Sequence, residues 1–262
     1  MNGSKLDNQS AIFLAAVCGQ TYNQFASLQQ SFLVPYGYQV VGSFQASAFS
    51  INEQPFGFVI ESERAAILAF RGTSTATDWV TDMMAQQITF TPVKNSGLTH
   101  RGFTEIYMSA RDRVFKLLDK LPNNKPLFIT GHSLGGALAI LATLDITVNR
   151  NFNQIITYTY GSPRVGDPAF VQYYNASVPT SIRVQNEYDI VPHLPPLVFK
   201  APKTDKTFYY MHVKAEEKRS FRNGSIGGNH IISSYFADLA RESPIFAETI
   251  CSQPLGWCPE LQ

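Results

Sequence analysis

Hydrophobic and polar positions along the chain follow two periods, and their succession predicts alternating strands and helices. Short, mostly apolar runs typical of buried strands are separated by longer segments with apolar residues at helical spacing. The predicted strands are Gly57–Ser62, Ala65–Gly72, Pro126–Gly131, Ile155–Gly161 and Ser181–Glu187. The predicted helices are Asn8–Phe25, Gly102–Leu121, Ser133–Thr147, Asp167–Asn175 and Ile231–Leu239. Because strands that alternate with helices form parallel sheets, this order predicts an α/β fold with a mostly parallel central sheet and helices on both faces.

Two segments modify this simple order. Only Glu63 and Arg64 separate the first two predicted strands, which indicates a tight hairpin between them. The polar segment Lys206–Arg222 predicts a second hairpin at one edge of the sheet. No repeat or low-complexity linker divides the chain, so residues 1–262 are expected to form a single domain.

Composition narrows the classes of function. Hydrophobic residues make up 44% of the chain and charged residues 16%, and 21 basic residues balance 20 acidic ones to a net charge of +1. A folded chain of this balance has no bias towards nucleic acid, and its substrate is expected to be neutral. No apolar run approaches the roughly 18 residues needed to span a bilayer. The N-terminal segment lacks the pattern of a signal peptide, although a mature secreted chain given a new Met would look the same.

Three cysteines are too few for a disulfide framework and have no zinc-like spacing. One bridge is possible, either from Cys18 to the C-terminal region or between Cys251 and Cys258. Three unpaired thiols are the equally simple alternative.

The turn between a predicted strand and a predicted helix carries the strongest chemical signal. Gly131-His132-Ser133-Leu134-Gly135 is a G-x-S-x-G pattern between an apolar strand and an Ala- and Leu-rich helix. So sharp a turn requires unusual backbone angles at Ser133 and leaves no room for side chains at Gly131 and Gly135. It also directs the start of a helix at the reaction centre, where its dipole favours a developing anion. Ser133 is therefore predicted to be a catalytic nucleophile rather than a simple helix cap.

A serine nucleophile needs a base, and in this architecture the base follows it in the chain. Three histidines do so, and His193 between prolines is expected to be structural or to line a pocket. His230 ends a glycine-rich loop just before a helix, where it is free to approach a neighbouring strand end. His230 is the predicted base, with His212 as the open alternative.

The predicted acid is Asp189, because it directly follows an apolar strand, where parallel-sheet proteins place catalytic groups. Asp145 lies about three helical turns beyond Ser133, too far from the strand–helix turn that carries the predicted nucleophile. Asp167 precedes Pro168 and is expected to cap a helix. The oxyanion of acyl transfer would be held by the Leu134 N–H at the helix start and by Thr73 at the end of an earlier strand.

Four segments together resemble the class 3 lipases, the fungal-type triacylglycerol lipases of the α/β-hydrolase group. They are GHSLGG, AFRGTSTATDWVTD, YGSPRVGD and NEYDIVPHLPP, and the likeness runs from about Ala65 to Phe236. The resemblance implies an α/β-hydrolase fold, a triad of Ser133, Asp189 and His230, and a contribution of the Thr73 hydroxyl to the oxyanion site. One departure is that Ile231 follows His230, where the family often has leucine.

The segment Ser74–Asp82 is short and polar and carries one large aromatic residue, Trp79. The resemblance implies that this segment, with Thr75, Trp79 and Val80, is a lid that controls substrate access. The alternative is an ordinary surface helix with Trp79 packed inward.

These observations predict a carboxylic ester hydrolase, foremost a triacylglycerol lipase that forms an acyl-enzyme. A feruloyl or other soluble carboxylesterase of the same fold is the first alternative, and a non-catalytic binding module the second. No metal and no organic cofactor is expected. The expected partners are an acylglycerol or similar ester and, transiently, a lipid–water interface, with no nucleic acid, and the chain is expected to be monomeric. The expected location is extracellular, with the cytoplasm left open.

Overall fold

A computed structural model of the chain describes residues 6–48, 53–73, 86–201 and 205–259. The helices are α1 (Asn8–Ala26), α2 (Arg101–Leu118), α3 (Leu134–Asn149), α4 (Pro168–Ser177), α5 (Ile232–Ala240) and α6 (Pro244–Cys251), with one 3-10 turn at Val191–His193. The strands are β1 (Gln39–Ala46), β2 (Gln54–Glu61), β3 (Ala66–Phe70), β4 (Gln87–Thr89), β5 (Leu98–His100), β6 (Leu127–His132), β7 (Ile155–Tyr160), β8 (Thr180–Asn186), β9 (Val198–Lys200), β10 (Thr207–Tyr209) and β11 (Glu216–Arg219).

Seven strands form the central sheet in the order β1-β2-β3-β6-β7-β8-β11. The pairs from β3 to β11 are parallel, whereas β2 runs antiparallel to both of its neighbours. Two further ribbons, β4 with β5 and β9 with β10, are antiparallel. The sheet is therefore mostly parallel, as the sequence predicts.

Helices cover both faces of this sheet, and strand alternation shows how. In β3, Leu68 and Phe70 face one core, whereas Ile67 and Ala69 face the other. The first core includes residues of α2, α3 and α4, and the second includes residues of α1, α5 and α6. Helix α3 is buried on all sides from Leu134 to Ile146 because it lies between the sheet and α2. The prediction of helices on both faces is confirmed.

The predicted hairpin between the first two strands is confirmed, since Glu61 pairs with Ala66 across β2 and β3. The predicted hairpin over Lys206–Arg222 is wrong. Its first strand, β10, pairs with β9, and its second, β11, joins the edge of the main sheet parallel to β8. These strands have only three and four residues, and β11 is entirely charged, so no hydrophobic pattern within them is long enough to define a partner.

A disulfide bond closes a short loop in the C-terminal segment, from the end of α6 to Cys258. Cys251 and Cys258 are bridged, with their Cα atoms 5.3 Å apart. Cys18 is a free, buried thiol, and burial raises its pKa to about 12. The enclosed Trp257 is fully buried, and its carbonyl oxygen accepts a hydrogen bond from the Gln20 side chain over 2.6 Å. Of the three cysteine arrangements left open by the sequence, the structure has the Cys251–Cys258 bridge.

Candidate active site

The elbow, residues Gly131–Gly135, joins β6 to α3. Ser133 has φ of 59° and ψ of −129°, a backbone conformation that residues with side chains rarely adopt. A Cβ at Gly131 would lie 2.1 Å from the Gly135 carbonyl oxygen, and a Cβ at Gly135 would lie 2.3 Å from the Phe70 carbonyl oxygen. No side chain fits at such distances. Glycine is therefore required at both positions, as the sharp turn predicts.

Three side chains from distant parts of the chain form one line of hydrogen bonds. The Ser133 hydroxyl donates to Nε2 of His230 over 2.8 Å, and Nδ1–H of His230 donates to Oδ2 of Asp189 over 2.6 Å. All three residues are buried, at 0%, 4% and 1% exposure in that order. A hydroxyl, an imidazole and a carboxylate in this geometry can pass the hydroxyl proton to the ring and stabilise the resulting cation.

Asp189 is fixed by more than its bond to the imidazole. It lies just beyond the carboxyl end of β8, where its Oδ1 accepts from the Val191 N–H over 2.9 Å. Its Oδ2 also accepts from the Tyr235 hydroxyl over 2.7 Å. Burial and the neighbouring carboxylate raise the pKa of Tyr235 well above its ordinary value, so this hydroxyl remains a donor. The carboxylate is thus held in a single orientation towards His230.

His132, the residue before Ser133, is a second buried imidazole beside the first. Its Nδ1 lies 2.7 Å from the Tyr22 hydroxyl on α1, and its Nε2 lies 2.6 Å from the main-chain oxygen of His230. The two imidazole rings are 4.7 Å apart. Burial, and secondarily the neighbouring His230, lower the pKa of His132 well below its ordinary value.

The end of β3 lies against the elbow. A Cβ at Gly72 would lie 2.7 Å from the His132 carbonyl oxygen and 3.1 Å from Cβ of Ser133, which brings Thr73 beside the serine. The Thr73 hydroxyl oxygen is buried and has no hydrogen-bond partner within the described part of the chain. The Leu134 N–H belongs to the first turn of α3, whose amide groups lack partners within the helix. Within the described residues, the buried Thr73 hydroxyl is therefore free to donate to an incoming oxyanion, and the Leu134 N–H at the helix start is a second candidate donor.

The remaining predicted residues lie elsewhere. His212 is half-buried, and its Nε2–H donates to the Pro192 carbonyl over 2.7 Å, so within the described residues His230 is the histidine that contacts Ser133. His193 is in the 3-10 turn, and its carbonyl accepts from Arg164. The predicted lid residues Thr75, Trp79 and Val80 lie outside the described residues.

Among residues 6–48, 53–73, 86–201 and 205–259, no three His, Cys, Asp or Glu side chains are grouped as metal ligands would be. In the same part of the chain, no helix has the length and apolarity needed to cross a bilayer.

Sequence reasoning missed the partners that hold the triad in place. Tyr22, His132 and Tyr235 each bond to a group of the triad or to its neighbour, over separations of up to 110 residues. The only local signal is the position of His132 beside Ser133, and nothing in the sequence indicates which distant groups its ring contacts.

The fold and this arrangement define a class, the α/β hydrolases with a Ser–His–Asp site. A family model described as Lipase (class 3) matches residues 67–199. The chain belongs to the class 3 lipase family.

Individual relatives agree with this family. A lipase of Rhizomucor miehei is 38% identical over 146 residues, covering 53% of this chain and 40% of that protein. A secreted mono- and diacylglycerol lipase of Fusarium solani is 30% identical over 202 residues, covering 70% of this chain and 60% of that protein. A solved structure described as a triacylglycerol lipase with a serine-protease triad at its catalytic centre has a TM-score of 0.62 at 25% identity, covering 74% of this chain and 77% of that one. The chain thus aligns with less than two thirds of the length of the two curated relatives.

Proposed function

We propose that this chain hydrolyses the carboxylic esters of acylglycerols through an acyl-enzyme. The observation that carries the proposal is the line of hydrogen bonds from Ser133 through His230 to Asp189 at the carboxyl ends of parallel strands. Membership of a lipase family supports an acylglycerol as the substrate. One relative is described as a mono- and diacylglycerol lipase and another as a triacylglycerol lipase, so the proposed substrates include tri-, di- and monoacylglycerols.

The proposed reaction balances with these groups and water. Oγ of Ser133 bonds to the ester carbonyl carbon while Nε2 of His230 takes the hydroxyl proton. The carbonyl oxygen becomes an oxyanion, which accepts from the Leu134 N–H and from Thr73. Collapse breaks the bond to the leaving alcohol, which receives the proton from His230. Water then attacks the acyl-serine in the same way and releases the fatty acid.

In this scheme Asp189 does not take a proton. It fixes the ring of His230 with Nε2 towards the serine and stabilises the imidazolium that forms at each step. Its additional bonds to Val191 and Tyr235 support that function, because they hold the carboxylate in place while the ring charge changes.

Replacement of the serine tests the proposal. Ser133→Ala should lower kcat on a short-chain nitrophenyl ester by roughly 10⁶-fold and abolish labelling by a fluorophosphonate. Ser181→Ala is the matched control, since Ser181 is equally buried but bonds to Tyr174 instead. Turnover retained by the Ser133 variant would eliminate the proposed mechanism.

A second measurement separates a lipase from a soluble esterase. The rate of hydrolysis of a partly soluble triacylglycerol is followed as its concentration crosses the solubility limit. A rise at that limit supports action on lipid aggregates, whereas a flat rate together with faster hydrolysis of a soluble aryl ester would contradict it.

We further propose that residues 1–262 act as one domain, as a monomer, outside the cell. Seven of the described strands form one central sheet that helices cover on both faces, which supports a single domain. The Fusarium relative is described as secreted, and the disulfide bond suits an oxidising compartment. Sedimentation of the purified chain and fractionation of the producing culture test the last two points.

A further inference from the structure

His132 has a polar environment that the proposed reaction does not use. The ring is 4% exposed, yet both of its nitrogen atoms are within hydrogen-bond distance of a partner. One partner is a side chain on α1, and the other is the main chain of His230. The residue thus joins a helix on one face of the sheet to the loop that carries the proposed base.

The partners determine where the protons are. A carbonyl oxygen only accepts, so Nε2 of His132 must carry a proton to bond with the His230 oxygen. Because burial keeps the pKa of this ring well below its ordinary value, the ring is neutral and Nδ1 is an acceptor. The Tyr22 hydroxyl therefore donates to Nδ1, and burial raises the pKa of Tyr22, so that it retains its proton.

The loop before His230 needs such support. Residues 224, 227 and 228 are glycines, so the local sequence leaves the main chain with wide conformational freedom. Two long-range bonds hold the preceding residue, since the Asn186 side chain donates to the Asn229 carbonyl over 3.1 Å and the Asn229 side chain donates to the Tyr188 carbonyl over 3.2 Å. The bond from His132 holds the carbonyl of His230 itself, 98 residues away in sequence.

We propose that the Tyr22–His132 pair is a positioning device that holds the main chain of His230 against the elbow. Ser133 and His132 are adjacent, so nucleophile and base are joined twice, once through the imidazole and once through the main chain of His230. When Oγ of Ser133 is acylated it has no proton to donate, so its hydrogen bond to the His230 imidazole is lost. The hydrogen bond from His132 to the His230 carbonyl persists and keeps Nε2 of His230 in place for the attacking water. This inference rests on the proposed ester hydrolysis.

Kinetics of two substitutions test it. His132→Leu fills a similar volume without either bond, whereas His132→Gln offers an amide N–H near the position of Nε2. His132→Leu should lower kcat on a soluble short-chain ester by about 30- to 100-fold with KM within about threefold, because misplacement of a base by about 1 Å costs of that order. The rate of fluorophosphonate labelling should fall by a similar factor, and His132→Gln should recover most of both losses.

His100→Leu is the matched control. His100 is also buried, at 2% exposure, but its Nδ1 accepts from the Phe103 N–H at the start of α2. The control should lower the melting temperature and leave kcat per folded molecule unchanged. A kcat for His132→Leu within twofold of the unmodified chain would overturn the proposal, and so would a glutamine variant as slow as the leucine variant.

A measurement on the unmodified chain needs neither folding of a variant nor turnover. Long-range ¹⁵N–¹H correlation spectra of protein labelled at histidine report which ring nitrogen carries a proton. We expect a neutral ring at His132 with its proton on Nε2, and a proton on Nδ1 would overturn the proposal. If Ser133→Ala kept full activity while His132 had the expected tautomer, the proposed function would fail and the bond to His230 would stand.

Discussion

Two buried aspartates, Asp189 and Asp145, each bond to a tyrosine hydroxyl, but their other hydrogen-bond partners differ. Each accepts a hydrogen bond from a buried tyrosine, Asp189 from Tyr235 over 2.7 Å and Asp145 from Tyr107 over 2.6 Å. Both carboxylates are at 0% side-chain exposure. Burial and a tyrosine neighbour therefore do not distinguish a catalytic carboxylate from a structural one in this protein.

The basic side chain that each carboxylate faces does distinguish the two aspartates. Arg111 donates to both oxygens of Asp145 over 2.6 and 3.0 Å, and Asn149 adds a bond of 2.7 Å. The hydrogen bond to Asp145 raises the pKa of Arg111 above its ordinary value, so the cation is permanent. Asp189 instead faces the imidazole of His230, whose charge changes when it takes a proton.

The difference shows what makes a buried carboxylate useful for catalysis. The Asp145 cluster, comprising Asp145, Tyr107, Arg111 and Asn149, joins α2 to α3 and is fully paired before any reaction. The Asp189 cluster, comprising Asp189, His230, His132 and Tyr235, contains the imidazole that takes a proton in the proposed mechanism. Loss of the first should reduce stability, and loss of the second should reduce turnover.

The largest expected effect is on the Asp189 side. Asp189→Asn keeps the size of the side chain but no longer fixes the tautomer of His230, and kcat should fall by roughly 10⁴-fold. Steady-state kinetics measure this loss, and urea unfolding should show only a modest change in stability. A kcat within tenfold of the unmodified chain would remove Asp189 from the mechanism.

The corresponding change on the other side should act on folding. Asp145→Asn leaves Arg111 with only the exposed Asp112, 3.8 Å away, as a counter-charge and should lower the free energy of unfolding by about 3 kcal/mol. Urea unfolding measures the loss, and kcat per folded molecule should stay within about twofold. The double variant Asp145→Leu with Arg111→Met should be more stable than Asp145→Asn, because no unpaired charge remains. An equally unstable double variant would contradict the account of Arg111.

The same chemical change at the two tyrosines sharpens the comparison. Tyr235→Phe should lower kcat about tenfold, equivalent to about 1.4 kcal/mol, because Asp189 loses one of its donors. Tyr107→Phe should lower the free energy of unfolding by about 1–2 kcal/mol and leave kcat unchanged. Kinetics and urea unfolding on both variants separate the two results, and equal effects on kcat would break the comparison.

Acidification should act gradually with pH, and it should again separate the clusters. The pKa of His132 lies well below the ordinary histidine value, so the unfolded chain binds a proton that the folded chain excludes. The stability that depends on neutral His132 is fully present above about pH 6.5 and is lost below it, by about 1.4 kcal/mol per pH unit.

Urea unfolding between about pH 5 and pH 7 measures this slope. His132→Leu should reduce the slope of the free energy of unfolding against pH by the contribution of about one proton, because the leucine side chain does not titrate. Arg111→Met should leave the slope unchanged, since the Asp145 cluster contains no histidine. An unchanged slope in the His132 variant would show that the ring is already protonated in the folded chain.

Features that depend on near neighbours in the chain could be predicted from residue type and spacing alone. The elbow follows from the crowding of Gly131 and Gly135 against adjacent backbone, and the alternation within β3 follows from strand geometry. The cap of α4 is likewise local, since Asp167 accepts from the Phe170 N–H three residues later over 2.8 Å. Interactions of this range are set by residue type and spacing, and they predicted the α/β order and the position of Ser133.

Which distant groups come into contact could not be predicted in this way. The approach of His230, rather than His212, to Ser133 depends on the path of a glycine-rich loop that no local pattern defines. The pairing of β11 with β8 and the bond from Tyr22 to His132 also join segments that lie far apart in sequence. Such contacts form only when the packing of whole helices and strands brings the partners together, because residue type sets what a side chain can bind but not what it lies beside.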